Sequence, residues 1–352
     1  MIERPRGRRY DGPIEANLAS APPDPATRRV RVLTGYRPTG PLHVGHWFGN
    51  IQKMLELQET HDAFFFVADW HALTTDFDRT EHLPETIRDL VLDWLAAGLD
   101  PSKATIYLQS RIPEVAEMTL LLGMITPLGW LERVPTYKER LRDLAERDIA
   151  NYGLLGYPLL QTTDIAIVKG EVVPVGEDQV PHLELSREIV RRFNALYGPV
   201  LVEPAALLSE APRIPGTDGR KMSSSLGNDI RITDPPDAMT KKVKNMVTDP
   251  QKIRLGDRGR PEVCPVYGLH RMFSADIIGQ TEAGCRAGTL PCVTCKSNLA
   301  ERMVAYFRPF HERRDHLDPK EAGAALEAGH DRVRPVVEET MEGVRTAMHL
   351  TP

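Results

Sequence analysis

The feature that most narrows the fold is an alternation of short apolar runs and helical stripes in the first third of the chain. Val30-Arg31-Val32-Leu33-Thr34 is rich in β-branched residues and stops at Gly35, which predicts a strand and a turn. From His43 onward, Val44, Trp47, Phe48, Ile51 and Leu55 recur at helical spacing after a Gly- and Pro-rich turn. Phe64-Phe65-Phe66-Val67-Ala68 predicts a second, buried strand. Ile87, Leu90, Val91, Trp94 and Leu95 predict a helix ended at Gly98, and Ala104 to Leu108 a third strand. Strand, helix, strand, helix, strand is the signature of an α/β fold with a doubly wound parallel sheet of Rossmann type. A further strand over Val172 to Val175 and a helix near Val180 to Asn194 extend it.

The pattern changes near Gly216. A Gly- and Ser-rich loop, Gly216 to Asn228, precedes mostly helical sequence. Ser297 is placed to cap a helix carrying Leu299, Met303, Val304 and Phe307. An amphipathic stretch from Glu321 to Leu350 contains Pro335, which is expected to kink it. The expected organisation is a mobile, Pro-rich extension (1–28), an α/β catalytic domain (29–215), the loop (216–228) and a helical domain (229–352) whose end packs back on the first.

Composition excludes other classes. With 352 residues, 41% hydrophobic and 26% charged, the chain has core material for two or three domains and is not disordered. No apolar stretch approaches the ~18 residues of a membrane span, and the N-terminus lacks a signal-type apolar region, so the expected location is cytoplasmic. The net charge of −5 gives no global basic footprint, so nucleic acid must meet a local patch. Lys241, Lys242 and Lys244 form one candidate, and Arg302, Arg308, Arg313 and Arg314 another; such clusters are also ordinary solvated faces.

Two segments suit a polyphosphate. In Pro38-Thr39-Gly40-Pro41-Leu42-His43-Val44-Gly45-His46, backbone N–H groups at a helix start favour phosphate, and His43 and His46 are three apart on its first turn. Gly45 lets a flat base approach the backbone. In Gly219-Arg220-Lys221-Met222-Ser223-Ser224-Ser225-Leu226-Gly227-Asn228, one lysine and three serines could close over the same chain. Taken singly, each suits a surface turn or a solvated linker as well.

The order and separation of the two resemble the class I aminoacyl-tRNA synthetases, whose signatures are His-Ile-Gly-His and Lys-Met-Ser-Lys-Ser. Here Val44 replaces Ile, and Ser224 stands where the family usually has Lys, leaving one cation fewer in the loop. Tyr157-Pro158-Leu159-Leu160-Gln161-Thr162-Thr163-Asp164 and Val173-Pro174-Val175-Gly176-Glu177-Asp178-Gln179 resemble the amino-acid and ribose sites of the tyrosyl and tryptophanyl members. The second wording, with Ala68 to Thr74 and Leu131 to Glu139, is most similar to the tryptophanyl family.

The resemblance implies a ligase that makes an aminoacyl-adenylate from L-tryptophan and ATP with Mg²⁺ and passes it to tRNA(Trp). It implies ATP contacts from Arg37, Pro38, Thr39, Gly45, His46, Gly176, Glu177, Asp178, Ile214, Lys221, Met222, Ser223, Ser224 and Ser225. His43, His46, Lys221, Ser223, Lys138 and Arg140 would carry catalysis. Leu33, Thr34, His71, Tyr157, Gln161, Asp164, Val173 and Gln179 would form the tryptophan pocket. Tyrosyl enzymes usually carry Tyr where Leu33 stands, so an apolar residue there disfavours a phenol. A tyrosyl enzyme and a non-catalytic tryptophan-binding regulator are the competing readings. The family forms homodimers; the apolar run Leu120, Leu121, Leu122, Met124 and Ile125, in an insertion near 111–150, suits such a seam or a core helix.

All four cysteines, Cys264, Cys285, Cys292 and Cys295, fall in one short segment, the last three as C-x6-C-x2-C. In a cytosolic protein that points to metal over disulfides, and the spacing does not separate four-thiolate zinc from a [4Fe–4S] cluster. A subset of tryptophanyl enzymes with this pattern holds [4Fe–4S], so the resemblance favours iron–sulfur, with zinc or no metal as alternatives.

Overall fold

The computed structural model describes residues 28–135, 137, 151–208 and 213–350. The extension over 1–27, and Lys138 and Arg140, lie outside the described residues. Five parallel strands form one sheet: β1 (Arg31–Tyr36), β2 (Asp62–Val67), β3 (Ala104–Leu108), β4 (Val172–Val175) and β5 (Ala205–Leu208). Their order is β3-β2-β1-β4-β5. Strand order therefore reverses between β1 and β4, and in open α/β sheets ligands bind at that switch, beyond the carboxyl ends of the strands. The Rossmann-type expectation holds.

Gly35 is a correction. β1 does not turn there but continues to Tyr36. A Cβ at position 35 would fall 2.3 Å from the Phe66 ring of β2, so the glycine admits that ring within the strand. The helical run after His43 comprises α1 (Val44–His46), a π-helical turn over Trp47–Ile51 and α2 (Gln52–Thr60). Next come α3 (Asp69–Asp76) and α4 (Leu83–Ala97), ended by Gly98 at φ 112°, where only glycine is unstrained. Helices α5 (Glu114–Ile125), α6 (Leu128–Glu132), α7 (Tyr152–Ile167) and α8 (Val180–Tyr197) follow.

Past the loop lie α9 (Pro236–Asn245), α10 (Pro265–Phe273), α11 (Ile278–Ala287), α12 (Cys292–His316) and α13 (Pro319–Ala347). Ser297 does not cap a helix. Extended Pro291 starts α12 directly before Cys292, so Ser297 lies within it. Both α12 and α13 continue through a proline, Pro309 and Pro335. Asp318 and Glu321 form a capping box that fixes the start of α13.

One sheet face shares a core with this helical region: Val32, Trp47, Phe65 and Ile106 belong to the same apolar cluster as Met239, Phe273, Phe307 and Phe310. The other face buries Leu33, Phe64, Phe66 and Tyr107 against Met118, Leu159 and Phe193. Helix α13 closes the β3 edge. Gly329 approaches so near that a Cβ would lie 1.7 Å from the Ile106 carbonyl, and Arg332 donates to the Ala104 carbonyl at 2.8 Å. An open strand edge is thereby covered.

Candidate active site

Two stretches sit at the switch point. His43 caps α1 in extended conformation and accepts from the His46 backbone N–H through Nδ1 at 3.3 Å. The His43 backbone N–H donates in return to His46 Nδ1, also at 3.3 Å. The rings stack 3.4 Å apart. Burial pushes His43 down to about 4 and His46 to about 3, so both are neutral at pH 7. With each Nδ1 accepting, the ring proton of each sits on Nε2. The motif thus offers two N–H donors and no positive charge. Gly45 makes the stacking possible: a Cβ there would lie 2.9 Å from the His43 ring and 3.8 Å from Met222.

That last contact brings the two sequence motifs together. The chain after the serines is zipped to the histidine turn, with Val44 N–H donating to Ile230 O at 2.9 Å and Ile232 N–H to Leu42 O at 3.0 Å. Ile214 and Met222 are buried at the base of the loop, while Lys221, Ser224 and Ser225 are exposed. Gly176 caps the turn Glu177–Gln179 at the carboxyl end of β4, where the sequence placed a ribose; the side chain of Asp178 is outside the described atoms. Arg37, at the carboxyl end of β1, donates to Thr75 Oγ1 at 2.5 Å and lies 3.6 Å from the Asp76 carboxylate.

Beside this surface opens a cavity of about 230 Å³. Leu33, Arg37, His71, Tyr157, Gln161, Asp164, Val173 and Gln179 line it, with Gly35, Phe66, Ala68, Thr74 and Ile165. Strand alternation puts Thr34 on the opposite face of β1, so it does not line the cavity. Tyr157, Gln161 and Asp164 share a face of α7, as their spacing predicts.

Asp164 is buried at 3% exposure and held by two neighbours. His71 Nε2 lies 2.9 Å from Oδ2, and Gln109 Nε2 donates to both oxygens at 2.8 and 2.9 Å. Burial pushes the Asp164 carboxyl above its ordinary range; His71 and Gln109 pull it back. Gln109 is itself fully buried, and its Oε1 accepts from Trp70 N–H at 3.1 Å. Ser110 N–H donates to Asp69 Oδ1 at 3.0 Å, so the turn after β3 and the start of α3 grip each other reciprocally.

Sequence reasoning missed Gln109 and His182, whose Nε2 lies 3.0 Å from Tyr157 Oη. The usable signal for Gln109 was a polar side chain directly after an apolar strand, at its carboxyl end.

The four cysteines line a second, smaller cavity with Asp249, Lys252 and Tyr267. A Cβ on Gly259 would lie 2.5 Å from Cys285 Sγ, so the glycine makes room for that thiol. Burial, then the neighbouring thiols, push Cys295 up to about 12 and also raise Cys285. Among the described residues, no three His, Cys, Asp or Glu side chains are grouped to hold a metal ion.

This arrangement is that of a nucleotide-dependent enzyme with an apolar side-chain pocket ending in one buried carboxylate. The model of the tRNA synthetases class I (W and Y) matches residues 25–308. A tryptophan–tRNA ligase from Thermotoga maritima is 46% identical, covering 91% of this chain and 99% of its own length. That from Aquifex aeolicus is 43% identical, covering 91% and 100%. Tryptophanyl-tRNA synthetase from Campylobacter jejuni, solved with ADP and tryptophan, aligns at TM-score 0.83 and 32% identity over 91% of this chain and all of that one. The chain belongs to the class I tRNA synthetases of the tryptophan and tyrosine group.

Proposed function

We propose that this protein is a tryptophan–tRNA ligase that joins L-tryptophan to tRNA(Trp) at the expense of ATP. One observation carries the amino-acid choice: the cavity is apolar at Leu33 and ends at the buried, clamped Asp164. A carboxylate accepts the indole N–H. A phenol oxygen would find Leu33 where it needs a partner, and leaving it unpaired disfavours tyrosine. The test is ATP–pyrophosphate exchange with all twenty amino acids. Tryptophan should support it, with tyrosine poorer by orders of magnitude; comparable rates would overturn the assignment.

The tryptophan carboxylate attacks the α-phosphorus, the bond to the bridging oxygen breaks, and pyrophosphate leaves with the electron pair. The nucleophile is already ionised at pH 7, so no general base is needed and catalysis rests on alignment and phosphate stabilisation. His43 and His46 donate Nε2–H to the phosphates; Lys221 supplies charge as pyrophosphate departs; Ser223, Ser224 and Ser225 add donors. Mg²⁺ arrives with ATP and shares the phosphate charge. Gly45 faces the base, and Gly176, Glu177 and Asp178 take the ribose. Tyr157, Gln161 and Gln179 hold the ammonium group. A ribose hydroxyl at the tRNA 3′ end then attacks the adenylate carbonyl, and AMP leaves. Lys138 and Arg140 remain part of the proposal as further cations.

Helices beyond residue 229 would meet tRNA. A homodimer is supported by a groove lined by Trp70, Leu73, Phe77, Leu120 and Tyr152, with Leu120, Met124, Leu128 and Tyr152 all more than half exposed. Among the described residues no helix is long and apolar enough to cross a membrane; we place the enzyme in the cytoplasm. For the cysteines we keep [4Fe–4S]. All four thiols line one cavity, and the resemblance to the cysteine-bearing tryptophanyl enzymes supports the cluster over zinc. Cys264, Cys285, Cys292 and Cys295 would be its ligands; Pro265, directly after Cys264, packs beside Gly219 at the base of the serine loop, so the cluster would serve a structural role there.

A further inference from the structure

We infer that Asn228 is a positioning residue for the activation step, a clasp that sets Lys221 and Ser223 over the phosphates. Asn228 is 2% exposed although Ser224 and Ser225 of the loop it closes are exposed. Both amide hydrogens and the amide oxygen are engaged. Oδ1 accepts from Ser223 N–H at 2.8 Å; Nδ2 donates to Asp218 Oδ1 at 2.7 Å and to the Lys221 carbonyl at 3.2 Å. The Asn228 carbonyl accepts from Thr217 N–H at 2.9 Å. One side chain thus grips the backbone on both sides of Met222, whose own side chain lies against Gly45.

The surroundings are shaped for it. A Cβ at Gly216 would lie 2.5 Å from the Asn228 amide, so that position is bare where the amide sits. Asp218 is held in turn by Arg220, through N–H at 2.9 Å and Nε at 2.6 Å. Directly after Asn228 the chain becomes the segment zipped to the histidine turn through Ile230 and Ile232. Asn228 therefore joins the serine arc to the segment zipped to the histidine turn. Ser224 leaves the arc with Lys221 as its one lysine, so the placement of that ammonium has no second lysine to compensate it.

The inference rests on the proposed activation of tryptophan, and its test separates the two. Full-length wild type, Asn228→Ala, Asn228→Asp and Asn228→Asp with Asp218→Asn are compared by ATP–pyrophosphate exchange, by tryptophan binding without ATP followed through intrinsic fluorescence, and by Tm. Misplacing a catalytic group by about 1 Å is worth about 10²-fold. Asn228→Ala should therefore lower kcat by about 10- to 100-fold, with tryptophan affinity within about twofold of wild type. Asn228→Asp sets a carboxylate against both Asp218 and the Lys221 carbonyl and should lose more; adding Asp218→Asn relieves the first clash but not the second, so it should recover only part of that loss. Unchanged kcat in Asn228→Ala overturns the inference. So does a kcat loss matched by equal losses in tryptophan binding and Tm, or an Asn228→Asp variant that loses less than Asn228→Ala. If wild type activates a different amino acid, the substrate reading fails while the same ratios, measured with that amino acid, still decide the role of Asn228. If it activates none, both fall.

Discussion

Replacing Gln109 by Leu removes an amide that makes three contacts while keeping most of its volume. Gln109 gives Asp164 donors at 2.8 and 2.9 Å and takes the Trp70 N–H at 3.1 Å. A hydrogen bond to a charged group is worth about 1.5–3 kcal/mol, or about 10- to 150-fold in an equilibrium constant. Tryptophan KM should rise by that factor. The orphaned Trp70 N–H should remove about 1–3 kcal/mol of stability besides. The pH dependence gives a sharper test. Burial already holds the Asp164 carboxyl above its usual range, and Gln109 is one of the groups pulling it down. Without Gln109 the carboxyl rises further. A protonated Asp164 turns an O–H toward the indole N–H, so the affinity deficit should widen as pH falls. Stability should run the other way. A carboxyl raised in the folded state carries its full stability below the unfolded value near 3.8 and loses it as pH rises through the folded value. The Tm deficit of the variant should therefore widen as pH rises. Tryptophan KM within twofold of wild type at every pH, in a folded variant, would refute the idea that Gln109 presents Asp164 to the substrate.

Lys221→Ala should lower kcat for activation by about 10²-fold with tryptophan KM nearly unchanged, because its charge acts on the departing pyrophosphate; Ser224→Lys should raise kcat by restoring a cation. Exchange kinetics check both, and full activity in Lys221→Ala would remove the loop from the phosphates. His43 is held down to about 4 against 6.5 unfolded, so its contribution is present above pH 6.5 and is lost as pH falls toward 4, by at most about 3 kcal/mol. Denaturant titrations should show that slope flattened in His43→Asn, which keeps an N-cap side chain without titrating; an unaltered slope would count against a buried, neutral His43. Anaerobically purified protein should carry about four irons per chain with absorbance near 400 nm, whereas one zinc and no iron would refute the cluster.

Much of the fold was legible because sheet and helix leave different periods. The runs at Val32, Phe64 and Ile106 announced β1, β2 and β3, and these strands pair in parallel register. β5 left no such trace: Ala205, Ala206 and Leu207 are only half-buried and Leu208 is exposed, so the strand exists through its pairing with β4 and not through an apolar run. Gly35 misled because glycine serves two purposes; here it makes room for Phe66 across the sheet, a need that a single strand does not display. Ser297 is a good cap residue in the wrong place, because the proline six positions earlier has already begun the helix.

The candidate site divides along the same line. Backbone-driven parts were readable, since a Gly-rich turn at a helix start and a Ser-rich loop declare themselves locally. The clamp on Asp164 was not. Gln109 and Asp164 are 55 residues apart, and nothing near either names the other. What unites them is strand order. Because every strand pairing is parallel, the carboxyl ends of β1, β3 and β4 open toward one side, where Arg37, Gln109 and Gly176 each follow an apolar strand. Helix α7 then lays Asp164 across that opening. The chemistry of the site follows from residue types, but their convergence is a property of the crossover connections. A polar residue just past a predicted parallel strand is therefore worth treating as a site candidate even when no motif contains it.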